Sequence, residues 1–507
     1  MRDPASSPAL AAGLVFVASA AVLVVEILGI RLLAPYVGLT LETTTAIIGT
    51  VLAGIAAGSA LGGRAADRVS PRLLLPVLLA AGGALAIATV PLVRVFGSAL
   101  RGGGDAAALV VALTALLPPA TALSAVTPAV VKLQLRDLGA TGSVVGRLSA
   151  WATTGGLVGT FATGFVIVPL LATDVALYAL GVGLIALALV LGRGGAPWSG
   201  SVIGLVAGAA VLGGVAVAVG APCDAETRYH CARVDVDPQR PSGRTLVLEN
   251  LRHSYVDLDD PRRLELDYVR WIGDAIDGMA PRGEPLDGVF LGGAGFTLPR
   301  YLLATRPGSR ARVHEVDGEL VALARERLGL RTGRDLRVVE GDARVTLAGE
   351  ETGSADLLVG DAFGARAIPW HLATVEYARE IRRVLRPRGV YALNLIDQPP
   401  LALARAEVAT LRAVFTDVAL VSRPSAAGRP AGGNLVLLAS EAALPRGARS
   451  TADGARTYGR RAVERFAAGA EPLRDLDAPA DQLLSPTAGS NTPSGTAAAR
   501  AAAPPGA

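Results

Sequence analysis

Leu291-Gly292-Gly293-Ala294-Gly295-Phe296 follows a short apolar run at about 288–291 and opens a helical one at about 297–305. Glycines at such a junction let the backbone come close to a nucleotide or amino-acid moiety. By itself the turn says little, because glycine-rich turns also serve where no ligand binds. Working outward, strand-like segments at about 311–316, 336–340, 355–360 and 390–396 alternate with helical ones at about 318–328, 370–385 and 401–412. This alternation predicts an α/β doubly wound, largely parallel, Rossmann-like sheet with its ligand at the carboxyl ends of the strands.

Those ends carry acids. Val313-His314-Glu315-Val316-Asp317 closes the second strand and puts a carboxylate where a ribose diol is gripped in such folds. Glu340-Gly341-Asp342-Ala343 closes the third, where Asp342 is able to accept from an exocyclic adenine amine. Gly360-Asp361-Ala362-Phe363 closes the fourth and aims Asp361 at the same crevice. Any one of these acids also fits a helix N-cap or a solvated strand end. Four consecutive strand ends bearing Gly-Gly-x-Gly, Glu, Asp and Asp argue for one site. Upstream, Arg244–Asn250 and Ser254–Leu258 alternate like a small N-terminal β-hairpin region, and Arg262–Asp277 reads as an amphipathic helix carrying Tyr268 and Trp271.

The first 220 residues are of another kind. The 507-residue chain is 51% hydrophobic and 18% charged, too apolar for one ordinary soluble fold, and the excess lies before residue 220. Seven stretches at about 9–33, 43–63, 72–97, 106–134, 146–172, 175–192 and 200–220 are long enough to cross a bilayer. They lack the polar face that a helix of a soluble core presents. The expected fold class is thus a multi-pass α-helical membrane domain, 1–220, joined to an α/β domain, 225–445. The first stretch outlasts a secretory signal and contains Glu26 and Arg31, so it stays attached. Glu26 is a functional candidate, since a carboxylate in a span needs a partner or a cavity, and pairing with Arg31 or a neighbouring helix accounts for it equally well. Gly54, Gly58 and Gly62 bare one helix face for close packing. Gly63-Arg64-Ala65-Ala66-Asp67-Arg68 resembles, over six residues only, the loop between the second and third helices of major-facilitator transporters.

Loop charge sets the expected orientation. Arg2, Arg64, Arg68, Arg72, Lys132, Arg136, Arg147 and Arg193 fall on one side, against Arg31, Arg94 and Arg101 on the other. The richer side is expected to be cytoplasmic, which with seven crossings places the α/β domain outside. Cys223 and Cys231, the only cysteines, would close a disulfide there or stand as two thiols. With only His230 and His253 nearby they match no zinc spacing, and no metal is expected. A net charge of +4, with basic residues interspersed among acids and no aromatic-basic cluster, gives no sign of nucleic-acid binding.

From about 226 to 440 the order and spacing of motifs resemble the spermidine synthase family, specifically its membrane-fused, transporter-like members. The flanking pieces that carry the resemblance are Leu246-Val247-Leu248-Glu249-Asn250 with His253, Glu265-Leu266-Asp267-Tyr268, Pro369-Trp370-His371-Leu372 with Glu376-Tyr377, and Leu385-Arg386-Pro387-Arg388-Gly389-Val390. Ala478-Pro479-Ala480-Asp481-Gln482-Leu483-Leu484 looks like the family's closing segment, within 446–484. The resemblance implies decarboxylated S-adenosylmethionine, or S-adenosylmethionine itself, as cosubstrate and a small amine as acceptor. It makes Asp361 the general base and has Tyr268 orient the amine. Glu315 would hold ribose and Asp342 with Ala343 the adenine, while Gly292, Gly293 and Gly295 would take the amino-acid-like end. His230, His253 and Pro369 would line the amine pocket. It also leaves room for a homodimer, and the other partner expected is the lipid bilayer.

The chain departs from the family where a diamine would need acids. Ala294-Gly295-Phe296 is a residue short and lacks the loop Asp, Val269 stands where a polar residue follows the Tyr, and Gly364 replaces the second acid after Asp361. Three functions follow: an aminopropyltransferase, a methyltransferase on the same fold, or a non-catalytic module for binding or coupled to transport. Near Arg460–Ala468 a short helix is expected, and from 485 onward the composition is that of a disordered tail.

Overall fold

The computed structural model describes residues 7–38, 41–100, 104–135, 137–192, 220–364, 368–445 and 454–484, with isolated positions between 204 and 214. Two compact units emerge: Met1–Arg233 with Leu248–Leu251, and Val234–Val247 with Arg252–Ala507.

The first unit is helical. Its elements are α1 (Pro8–Val37), α2 (Leu41–Arg68), α3 (Pro71–Ala99), α4 (Gly104–Ala115), α5 (Leu117–Ser124), α6 (Val126–Gln134), α7 (Thr141–Ala162), a π turn at Thr163–Ile167, α8 (Val168–Leu170) and α9 (Thr173–Gly192). Among the described residues six helical segments are long and apolar enough to cross a membrane, and they coincide with the first six expected stretches. The expected crossing at 200–220, the tail from 485, and Arg2, Arg101, Arg136 and Arg193 lie outside the described residues, isolated positions aside. The stretch 106–134 is broken into α4, α5 and α6, the first break falling at Leu116 just before Pro118-Pro119, which cannot donate to the helix ladder. The α2 glycine face does what its spacing suggests. A Cβ on Gly58 would collide with the Thr121 carbonyl oxygen and one on Gly62 would lie 2.6 Å from Ala125 Cα, so α2 runs backbone to backbone along α5 and α6.

Ion pairs mark the two ends of this bundle. At one end, Lys132 near the end of α6 meets Asp67 near the end of α2 at 2.8 Å. At the other, Arg94 near the end of α3 pairs with Asp174 at the start of α9 at 3.0 Å, and Arg31 near the end of α1 pairs with Glu226 at 3.3 Å. Glu226 also accepts the Thr173 backbone N–H at 3.0 Å. The segment 221–231, closed by a Cys223–Cys231 disulfide, therefore sits at the end where α1 and α3 finish.

A four-stranded sheet of order β1-β2-β3-β4 comprises Ala225–Glu226, Cys231–Asp237, Arg240–Leu248 and Leu251–Asp257. The hairpin thus turns on Glu249-Asn250, with β3 ending two residues and β4 starting three residues before the segments expected from the sequence. The second unit's main sheet has the order β12-β10-β11-β9-β8-β5-β6-β7. Its strands are β5 (Asp287–Leu291), β6 (Arg310–Glu315), β7 (Leu336–Glu340), β8 (Ala355–Gly360), β9 (Leu385–Asp397), β10 (Asp417–Ser422), β11 (Gly433–Ser440) and β12 (Arg456–Tyr458). Strands β5 to β9 pair in parallel, and β10, β11 and β12 extend the sheet antiparallel beyond β9. Because β5 lies between β6 and β8, the chain leaves it in opposite directions, and the crevice at that reversal is where doubly wound sheets bind ligands. Val289, Phe290, Leu291, Leu357, Leu358 and Val359 are buried, as strands covered on both faces require.

Two helices differ from expectation. The helix carrying Tyr268 begins at Asp267 rather than Arg262, with Leu266 extended before it. The segment 370–385 splits into a single turn, Trp370–Leu372, and a helix, Val375–Val384, whose start is fixed by the Thr374 hydroxyl accepting the Tyr377 N–H at 3.3 Å.

Candidate active site

Strand β8 ends at Gly360, so Asp361 is delivered to the mouth of the crevice, and its N–H is tied to the Leu291 carbonyl at 2.9 Å. The glycine loop lies directly against it. A Cβ on Gly292, whose φ is +91°, would collide with the Asp361 carbonyl oxygen, so glycine is required for both conformation and space. Ala294 and Phe296 also hold positive φ, at 42° and 57°, an uncommon backbone state that marks a shaped loop. Gly295 donates its N–H to Ser254 Oγ at 3.0 Å, filling with a hydroxyl the region where the sequence has no acid.

The Asp361 carboxylate is held at both oxygens. Tyr268 places its hydroxyl 3.0 Å from Oδ2 and 3.3 Å from the His253 carbonyl oxygen, while Asn394 donates its side-chain amide to Oδ1 at 2.8 Å. Asn434 in turn donates to Asn394 Oδ1 at 3.1 Å across the β9–β11 pair. Withdrawal from water pushes the Asp361 pKa up to about 7, against the opposing pull of the Asn394 and Tyr268 bonds. Burial and the adjacent Asp361 drive the Tyr268 phenol well above its usual value, so it stays protonated and able to donate. Helix α10 (Asp267–Met279) presents Tyr268, and its first residue Asp267 is gripped by Arg423 through Nε at 2.9 Å and Nη2 at 2.6 Å.

Glu315, at the end of β6, is buried and turned toward the glycine loop. Its Oε2 accepts N–H groups from Gly293 at 2.6 Å and Ala294 at 3.3 Å, and its Oε1 accepts that of Asp317 at 3.0 Å. Burial raises its pKa, opposed by those three bonds. Asp342, beyond β7, caps the turn Ala343–Thr346 through the Arg344 N–H at 2.8 Å and holds His371 Nε2 at 3.1 Å. Ala343 is buried beneath it, with its carbonyl accepting the Tyr377 hydroxyl at 3.2 Å. Pro369 packs near Gly364, just past Asp361. Thus Gly292, Gly293, Gly295, Glu315, Asp361, Tyr268 and the His253 carbonyl are brought together, and Asp342 with Ala343 stands at the next strand end. His230 falls in the first unit, its Nδ1 4.0 Å from Glu249 Oε1.

Sequence reasoning missed Asn394, Asn434 and Ser254. Asn394 had a signal: a polar residue inside Val390-Tyr391-Ala392-Leu393-Asn394-Leu395-Ile396, where a buried amide requires a partner. Among the described residues no cluster of His, Cys, Asp and Glu has the makings of a metal site.

A parallel sheet reversing at β5 and β8, with a glycine loop and strand-end acids at the reversal, defines a doubly wound, Rossmann-like fold. No family model matches the chain. It is 29% identical over 193 residues to the polyamine aminopropyltransferase of Vibrio vulnificus (strain CMCP6), covering 38% of this chain and 61% of that one. It therefore spans about three fifths of the curated relative it matches. Among solved structures it is similar to a probable spermidine synthase from Corynebacterium glutamicum ATCC 13032, with 27% identity and a TM-score of 0.46 over 50% of this chain and 95% of that one. A spermidine synthase from Thermotoga maritima gives 15% identity and a TM-score of 0.36 over 52% and 83%. The α/β half is spermidine-synthase-like.

Proposed function

We propose that the α/β unit is an aminopropyltransferase that moves the aminopropyl group of decarboxylated S-adenosylmethionine onto a small primary amine. The observation that carries this reading is the Tyr268 hydroxyl 3.0 Å from Asp361 Oδ2 beside the glycine loop. The sulfonium supplies a carbon already activated for attack and a neutral thioether as leaving group. An incoming ammonium must lose a proton before its nitrogen can form the new C–N bond, and Asp361, with a pKa raised to about 7, takes that proton. Tyr268 and the His253 carbonyl orient the amine. Glu315, with one oxygen accepting a single N–H, keeps a lone pair for ribose. Asp342 and Ala343 hold adenine, and Gly292 to Gly295 the aminopropyl end.

The absence of an acid from Ala294-Gly295-Phe296 favours, as a second reading, methyl transfer from S-adenosylmethionine. The test incubates the protein with S-adenosylmethionine labelled in the methyl group, or decarboxylated S-adenosylmethionine labelled in the aminopropyl group, and putrescine, cadaverine or agmatine. Aminopropyl transfer that is lost in Asp361→Asn supports the proposal. Methyl transfer alone, or no transfer to any amine, overturns it.

The six apolar helices and the apolar stretch 200–220 are proposed to cross a bilayer, seven crossings that put the α/β unit on the extracytoplasmic side. Support comes from the Cys223–Cys231 disulfide at the bundle end opposite the Lys132–Asp67 pair, since Arg64, Arg68 and Arg72 cluster around the junction of α2 and α3 on that opposite side.

A further inference from the structure

A cavity of about 210 Å³ opens in the helical unit where the ends of α1 and α3 meet the start of α9 and the disulfide-closed segment. Four of its charged side chains neutralise one another. Arg94 pairs with Asp174 at 3.0 Å, and Arg31 pairs with Glu226 at 3.3 Å while also donating to the Thr227 and Arg228 carbonyls. The fifth is Glu249. Its Oε1 accepts the Cys231 N–H at 3.1 Å, and its Oε2 is buried with no hydrogen-bond partner.

The backbone singles out the same residue. Glu249 is the first of the two residues turning β3 into β4 and holds φ at +53°. Asn, Asp and Gly adopt that state most readily in two-residue hairpins, so a glutamate there retains strain for the sake of its side chain.

We infer that this cavity binds a small primary alkylammonium cation, with the Glu249 carboxylate as its counter-charge. With the two arginines already neutralised, an ionised Glu249 leaves the lining one negative charge in excess. Leu32, Ala34, Pro35 and Ala172 supply an apolar wall for a short alkyl chain. The volume is below the roughly 300–1,000 Å³ of drug-sized ligand sites, so a nucleotide does not fit. An ammonium brings three donors, and the broad terminal torsion of glutamate lets the carboxylate turn its unpaired oxygen toward them.

Burial pushes the Glu249 pKa up to about 7. Facing it are His230, with Nδ1 at 4.0 Å, the Cys231 N–H, and at longer range Arg31 and Glu226. Binding is therefore an exchange: the neutral carboxyl releases its proton to solvent and the resulting carboxylate pairs with the incoming cation.

The test uses the full chain in detergent and radiolabelled n-butylamine in equilibrium dialysis. Affinity should rise about tenfold from pH 6 to pH 8, as a group of pKa near 7 goes from mostly neutral to mostly ionised. Glu249→Gln should abolish that rise and weaken binding at pH 8 by tenfold or more, and it should do so equally in a chain that already carries Asp361→Asn, where the catalytic crevice has no titrating carboxylate. Titration calorimetry of the unmutated chain at pH 6, in buffers of different ionisation enthalpy, should show nearly one proton released per amine bound. The inference is overturned by absent saturable binding, by binding without proton release, or by binding that survives Glu249→Gln and disappears in Asp361→Asn. The last result would put the amine in the catalytic crevice and leave the aminopropyltransferase reading intact.

Discussion

Asn394 donates its side-chain amide to Asp361 Oδ1 at 2.8 Å, and the strand beside it supplies Asn434 to hold the Asn394 oxygen at 3.1 Å. A donor aimed at a carboxylate favours its ionised form, so this relay moderates the rise that burial imposes on Asp361. Asn394 acts through Asp361 and is a positioning residue. Asn394→Leu should raise the pKa of the Asp361 carboxyl, moving the acid limb of the kcat/KM profile to higher pH and lowering activity most at pH 6. A uniform loss at every pH, with the limb unmoved, would assign Asn394 to packing alone.

The pH dependence of the unmutated chain follows from the same carboxyl. A base works only when deprotonated, so kcat/KM should climb through pH 7 and level off above it. Stability runs the other way. The folded-state pKa of about 7 lies above the unfolded value, so between roughly pH 4 and pH 7 the folded chain holds a proton that the unfolded chain has released. Asp361 therefore contributes a loss of stability as pH rises through that window. Asp361→Asn should remove activity and unfold at a higher temperature than the parent at pH 8, with the difference shrinking toward pH 4. Thermal unfolding of the two proteins across that range is the measurement.

Much of this is legible in the sequence, for identifiable reasons. The parallel strands β5 to β8 announce themselves because each is a short strand-like segment with a glycine or an acid at or just past its end. Tyr268 meeting Asp361 was not visible in spacing, since 93 residues separate them, and came only from the family resemblance. The antiparallel strands β10 and β11 were not anticipated, although Val418-Ala419-Leu420-Val421 and Leu435-Val436-Leu437-Leu438 are apolar. No helix separates them, so they fall outside the strand–helix alternation that marks the parallel strands. The Asn394–Asn434 contact depends on β9 and β11 being neighbours, so it was hidden with them.

The disulfide makes the proposed topology testable. Cys223 and Cys231 are bonded, and among the described residues none is a free cysteine. In membranes prepared with thiols blocked at lysis, maleimide should label neither residue until a reductant is added. Free labelling of both before reduction would place the segment in a reducing compartment and reverse the proposed orientation.

Glu407, on the helix Ala402–Arg412, is 1% exposed, and its Oε1 has no hydrogen-bond partner. Burial alone drives its pKa well above the ordinary carboxylate value, so the folded chain favours the neutral form. The unfolded chain ionises it above about pH 4.3, so the cost of burying it grows as pH rises past that point. Replacing an unpaired buried polar group by an apolar one of similar size removes a penalty of about 1–3 kcal/mol. Glu407→Leu should therefore raise the unfolding temperature of the α/β unit, and more at pH 8 than at pH 5. Glu407→Gln retains an unpaired polar group while losing the ionisable one, so it should gain less than Leu at pH 5 and also abolish the pH dependence. Calorimetric scans at the two pH values decide it. A gain from Leu that is equal at both would mean Glu407 is not held neutral, and a loss would mean that its carboxyl has a partner that stabilises the fold.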